Sequence, residues 1–253
     1  FSAIMGYIEK NRQRFIDELR KICMQPSISA TGVGIHKCVD LIKSMMKEIG
    51  IQTKVFSIED GNPIIYGEIK SSEHAKTILF YNHYDVQPPD PIDKWFHDPF
   101  SAEIDDGKIY ARGVADNKGN LVARLKAVEV LTTTLSSLPV NLKFVFEGEE
   151  EIGSPHLPSF IQQNRELLKA DGCLWEGAAK DHKNRPVICL GYKGILLVEL
   201  KAKGAEKDLH SMWAPVVPNP VWRLIHCLGT IVDENNKILI DDFYKNIVKP
   251  SPR

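Results

Sequence analysis

No CxxC pair occurs in this sequence, and its five cysteines, Cys23, Cys38, Cys173, Cys189 and Cys227, are odd in number and far apart. That pattern disfavours a disulfide framework and a thiolate metal site, and reads as reduced thiols in a cytosolic protein. An excess of either charge is also lacking. Lysine and arginine total 32 against 33 aspartates and glutamates, a formal net charge of −1 with the basic residues scattered, so no nucleic-acid partner is expected. Long apolar runs are missing as well. Charges begin at Glu9, so the amino terminus reads neither as a signal peptide nor as a transmembrane helix, and no membrane partner is expected. No internal repeat or low-complexity tract is found. What remains is an ordinary globular mixture, 43% hydrophobic and 26% charged over 253 residues, enough for one or two domains acting on a small molecule.

Apolar spacing supplies the element order. Ile8, Phe15, Leu19 and Ile22 recur at helical intervals within residues 4 to 24, and Cys38, Leu41, Ile42, Met45 and Ile49 do so before Gly50. "QTKVFSI" and "PIIYGEI" read as strands, and "TILFYN" at 77–82 is a continuous apolar run suited to a strand covered on both faces. A helix over 117–135 and the strand "NLKFVFEG" at 141–148 complete a strand, helix, strand alternation. The expected fold is therefore α/β, with a mixed, largely parallel sheet sandwiched by helices over residues 1–192. From about Lys193, "GILLVELKAKG" alternates like a sheet with one solvated face, and 218–232 resembles a helix laid over it. Residues 193–253 thus read as the beginning of a smaller α+β domain.

The polar clusters fall where strands end, which is where ligands collect in open α/β sheets. His83 and Asp85 end one strand, Glu149, Glu150 and Glu151 end another, Glu176 follows a third, and Asp116 precedes a helix. Several carboxylates in one cleft repel one another unless a cation neutralises them. Imidazole with carboxylate suits zinc, with manganese or cobalt as the other options. In "HYD" the two side chains can share one side of an extended backbone, so that Asp85 accepts from the ring nitrogen of His83 facing away from the metal. His97 reads as a packing or turn-capping residue, and His156, His182 and His226 as residues without a role.

Four ordered stretches, "HYDVQP", Trp95 with "DPF", "ARGVADNKG" and "EGEEEIGS", closely resemble the signatures of the di-zinc metallopeptidase family. That family includes carnosinase-like cytosolic dipeptidases, carboxypeptidase G, aminoacylase, acetylornithine deacetylase and succinyl-diaminopimelate desuccinylase. The resemblance runs from about residue 10 to 230. It implies two divalent ions, with His83 and Glu176 as ligands of one, Asp116 bridging both, and Glu151 on the second. It further implies Glu150 as general base, Asp85 as orienter of His83, and His210 in "KDLHSM" as the group that polarises the substrate carbonyl. The activity implied is amide hydrolysis of dipeptides or short peptides, or removal of the acyl group from N-acyl amino acids, by a cytoplasmic homodimer whose smaller domain is a lid and dimerisation domain. The family's second metal also takes a histidine from beyond that domain, past Arg253, so the chain reads as a fragment. A fragment with an incomplete site would have a binding or regulatory role instead.

Overall fold

The structure, a computed structural model, describes residues 1–177, 179–187, 189 and 194–248. It divides into two units, residues 1–188 and 189–253.

In the first unit, α1 (Ser2–Met24) buries Ile22 and Cys23 at its carboxyl end, and α2 (Ile35–Glu48) buries Cys38, Val39, Ile42, Met45 and Met46, the stripe that helical spacing dictates. Gly34 precedes α2 with φ +79°, and a Cβ there would collide with the Pro26 carbonyl oxygen. Only glycine fits that turn.

Five strands, β1 (Gln52–Phe56), β2 (Ile64–Ile69), β3 (Thr77–His83), β6 (Asn141–Glu147) and β7 (Gly172–Leu174), form one sheet in the order β1-β2-β6-β3-β7. The β3–β6 and β3–β7 pairs are parallel, and β2 is antiparallel to both β1 and β6. Four strands therefore run one way and β2 runs against them. Between β3 and β6 lie the small hairpin β4 (Glu103–Asp105) and β5 (Lys108–Tyr110), and α3 (Gly119–Thr134). After β6 come α4 (Leu157–Gln163) and the short α5 (Arg165–Leu168), and after β7 the two-residue pair β8 (Ala179–Lys180) and β9 (Pro186–Val187).

Strand alternation divides the core. Phe80, Leu142, Phe144 and Phe146 face the helices α1, α2 and α3, while Leu79, Tyr81 and Val145 face Leu157 and Phe160 of α4. Both faces are covered, which is why β3 reads as a continuous apolar run and β6 as one from Phe144 to Phe146, rather than as alternating strands. Phe144 is fully buried and stacked on Phe80 at 5.3 Å. Truncating it to alanine would cost ~3–5 kcal/mol.

In the second unit, Asn219 caps α6 (Pro220–Ile231) by accepting from the Val221 N–H at 2.9 Å, and a bridge joins Val232 to Ile238. The strand expected over 194–204 does not form: these residues belong to no ladder, and Ile195 and Leu197 are about nine-tenths exposed. Alternation alone cannot make a strand. A ladder needs an adjacent partner, and among the described residues of this unit no second strand lies beside it. Among the described residues no helix is long and apolar enough to cross a membrane.

Candidate metal centre

His83 closes β3 opposite Glu147, the last residue of β6, so the parallel register delivers both side chains to the same end of the sheet. The residues that follow are tied down in turn. Tyr84 donates its N–H to the Glu147 carbonyl at 2.9 Å and its buried hydroxyl to the Pro63 carbonyl at 2.7 Å, and Val86 donates to the Ser27 carbonyl at 2.9 Å. The "HYD" backbone is thereby fixed on both sides of Asp85.

The His83 ring is fully buried. Its Nε2 lies 3.0 Å from Asp116 Oδ1, 3.2 Å from Glu176 Oε2 and 3.9 Å from Glu150 Oε2. Its Nδ1 lies 3.1 Å from the Asp85 carbonyl oxygen and 3.3 Å from the Asp85 carboxylate. The orienting contact anticipated from the sequence is present, but the backbone carbonyl of Asp85 shares it with the carboxylate. The two carboxylate oxygens also accept the backbone N–H groups of Glu150 and Glu151, at 3.2 and 3.1 Å. A buried anion therefore holds the turn that presents the two glutamates.

Asp116 reaches the centre from the turn Val114–Lys118 that leads into α3, where its φ and ψ of −133° and 94° break the helical path. Glu176 follows β7. Glu149 turns away, accepting the Asn62 N–H at 3.0 Å and lying 2.8 Å from His156 Nδ1. His156, read from the sequence as having no role, thus holds this carboxylate, and nothing in its spacing signalled the contact. His97 packs on Tyr110 with ring centroids 4.5 Å apart and lies 3.1 Å from Glu103. His210 caps a short turn in the second unit, its Nδ1 accepting the Met212 N–H at 3.2 Å.

Charge crowding shapes the protonation states. Burial alone would lower the His83 imidazole, but Asp85, through hydrogen bond and charge, with Glu176 and Asp116, outweighs it and holds the group up at about 10. Burial pushes Glu176 up to about 7, against the pull of His83 and with Glu150 and Asp116 adding to the rise. Glu151 is raised by burial, with Asp116 and Glu150 contributing. Glu147 is raised by burial too, against the hydroxyls of Tyr81 and Ser154 that donate to it.

Two sets of potential ligand atoms lie within 4.8 Å of one another, His83 with Asp116 and Glu176, and His83 with Glu150 and Glu151. Glu176 Oε2 is buried without a hydrogen-bond partner despite its nearness to the imidazole. An orphaned carboxylate oxygen, three further carboxylates and one fixed imidazole fit a divalent cation, and the all-oxygen and imidazole donors fit zinc, manganese or cobalt. Among the described residues no cysteine joins either set.

Comparison with known proteins agrees with this geometry. The sequence model of peptidase family M20/M25/M40 matches residues 79–243. A Cys-Gly metallodipeptidase from Schizosaccharomyces pombe is 32% identical over 97% of this chain and 55% of its own length. The Beta-Ala-His dipeptidase of Homo sapiens is 33% identical over 74% of this chain and 37% of its own. The crystal structure of an M20 family metallo-carboxypeptidase from Sulfolobus solfataricus superposes with a TM-score of 0.80 at 41% identity, covering 94% of this chain and 54% of that one. The chain spans about half the length, or less, of the curated relatives it matches. With more than half of its residues matched by the family, and the same catalytic-domain fold around a metal-competent cluster, the chain belongs to peptidase family M20/M25/M40.

Proposed function

We propose that the protein carrying this chain is a metal-dependent hydrolase that cleaves the amide bond of dipeptides or short peptides. One observation supports this most: the Nε2 of a buried, fixed histidine lies within 4 Å of carboxylates from three separate segments, Asp116, Glu150 and Glu176. The named activities of the relatives, a Cys-Gly metallodipeptidase and a Beta-Ala-His dipeptidase, point to the same substrate class.

His83, Asp116 and Glu176 would hold one divalent ion and Glu151 would serve a second, shared through Asp116, with zinc the first choice. When bound, such ions supply a Lewis acid and bring the pKa of a water towards neutrality. The residues do the rest. Glu150, partly exposed at the mouth of the cluster, takes a proton from the attacking water and returns it to the departing amine. Asp85 keeps the His83 ring turned and the Glu150 and Glu151 turn in place. His210 acts on the substrate carbonyl oxygen, drawing off the charge that develops there. A reducing compartment fits the five free thiols, and a homodimer accompanies this reading as part of the proposal.

The test is hydrolysis of a panel of dipeptides and N-acyl amino acids by the zinc-loaded protein beside its Glu150→Gln variant. The variant should keep its metal and lose about 10²–10⁴ in turnover. Near-normal turnover in that variant would remove Glu150 from the role of base, and a preference for N-acyl amino acids would redirect the substrate assignment.

A further inference from the structure

We propose that Arg124 is the positioning residue of the His83, Asp116 and Glu176 cluster, a reading that rests on the metal centre described above. Arg124 stands on α3, half-buried, and touches none of the three acidic or imidazole groups. Its guanidinium binds the segments that lead into His83 and Glu176. Nη1 donates to the Tyr81 carbonyl at 2.5 Å, to Asn82 Oδ1 at 2.7 Å and to the Leu174 carbonyl at 3.2 Å, and Nη2 donates to the Trp175 carbonyl.

The geometry follows from where the sheet ends. The β3–β7 ladder pairs Ile78 with Gly172, Leu79 with Cys173 and Phe80 with Leu174, and goes no further. At and just past that last pair the carbonyls of Tyr81, Leu174 and Trp175 accept from Arg124, at the point where both strands deliver His83 and Glu176. The planar fork of one arginine reaches these carbonyls from two nitrogens in a fixed geometry, where an ammonium would offer one freely rotating nitrogen. The guanidinium lies 5.7 Å from the centre of the Phe80 ring, and the Trp175 ring stacks on Tyr81 at 3.8 Å, closing the same gap from the side-chain layer. Asn82 extends the network: while its oxygen accepts from Arg124, its amide donates to Asn117 Oδ1, the neighbour of Asp116. Arg124 thus joins the segment before His83, the segment before Glu176 and, through Asn82, the turn that carries Asp116.

Ligands on three segments hold a cation well only when the segments keep their mutual spacing, and residues one shell removed commonly change metal affinity by about 10–100-fold. Cobalt(II), whose visible absorption reports coordination geometry, is the probe. The 253-residue chain and its Arg124→Gln, Arg124→Lys and Glu176→Gln variants are titrated with cobalt, with urea unfolding of each metal-free form alongside. Arg124→Gln should bind cobalt about 10–100-fold more weakly and shift the absorption band towards that of Glu176→Gln. Arg124→Lys should fall between, since one ammonium replaces part of the fork. A wild-type affinity and spectrum in Arg124→Gln would overturn the proposal. So would weaker binding with an unchanged spectrum and a lowered urea midpoint, which would mark Arg124 as a contributor to stability alone. Should Arg124→Gln fail to fold, Arg124→Lys decides by the same spectrum. Failure of the wild-type chain to bind cobalt would be a different result, removing the metal centre itself and the proposal with it.

Discussion

Replacing Asp85 by asparagine changes one atom in a fully buried side chain with three duties. The carboxylate accepts the Glu150 and Glu151 N–H groups at 3.2 and 3.1 Å and lies 3.3 Å from His83 Nδ1. An amide has one accepting oxygen and one NH₂, so its nitrogen must face a donor whichever way it turns. One part-buried backbone N–H is then left without its acceptor, which costs up to about 1–3 kcal/mol of folding stability. The metal should suffer separately. His83 loses the negative charge behind its Nδ1, and the turn carrying Glu150 and Glu151 loosens, a change of the kind that weakens metal affinity about 10–100-fold, or ~1.4–2.7 kcal/mol. Zinc affinity is measured by competition with a chromophoric chelator, and stability by urea unfolding of the metal-free chain. A variant binding zinc within twofold of wild type would refute the idea that Asp85 orients the imidazole and its neighbouring turn.

Proton release should accompany zinc binding. His83 is held up at about 10 and Glu176 at about 7, so at pH 7 the first is protonated and the second about half so, and both must lose their protons to bind a cation. Calorimetry in buffers of different ionisation enthalpy should show between about one and two protons released at pH 7 and affinity rising with pH; no release would mean that His83 is already neutral. Thiols should be bystanders. Cys173, Cys189 and Cys227 are exposed, whereas Cys23, pushed up to about 11, and Cys38, also raised by burial, are not. A chromogenic disulfide should label Cys189 and Cys227 quickly, Cys173, which burial also raises, more slowly, and Cys23 and Cys38 only on unfolding, leaving zinc content unchanged, and loss of zinc on that labelling would bring a cysteine into the site.

Much of the fold was legible because β3 is covered on both faces and runs apolar from Ile78 to Tyr81, with β6 doing so from Phe144 to Phe146, and because α1 and α2 carry stripes at helical spacing. His83 and Asp116 stood out for a similar reason, since strand ends and helix starts are marked by the same residues that place polar groups there. The residues that position them were hidden. Arg124 sits on α3 at a position whose spacing says only that it is not core, and its four acceptors come from residues 42 to 51 places away in sequence. Asp85 could be read as a partner of His83 from two-residue alternation, but its grip on Glu150 and Glu151 spans 65 and 66 residues and depends on strand register. Within the run of three, the resemblance alone separated Glu149 from Glu150 and Glu151, and the physical reason, the loop bearing Asn62 and the nearby His156, lies in the fold's wiring rather than in its spacing. Residues 194–204 erred the other way, since alternation describes a face that could be buried without stating what would cover it.

Zinc retention by the 253-residue chain and its His83→Ala variant tests the metal centre most directly, because His83 is common to both sets of ligand atoms. Each protein is dialysed at neutral pH against the same low free zinc, its metal measured by atomic emission and its folding followed by far-UV circular dichroism. Wild type should retain zinc while His83→Ala, still folded, falls to the buffer baseline. Equal zinc in the two, or none in the wild type, would contradict a metal centre built on His83.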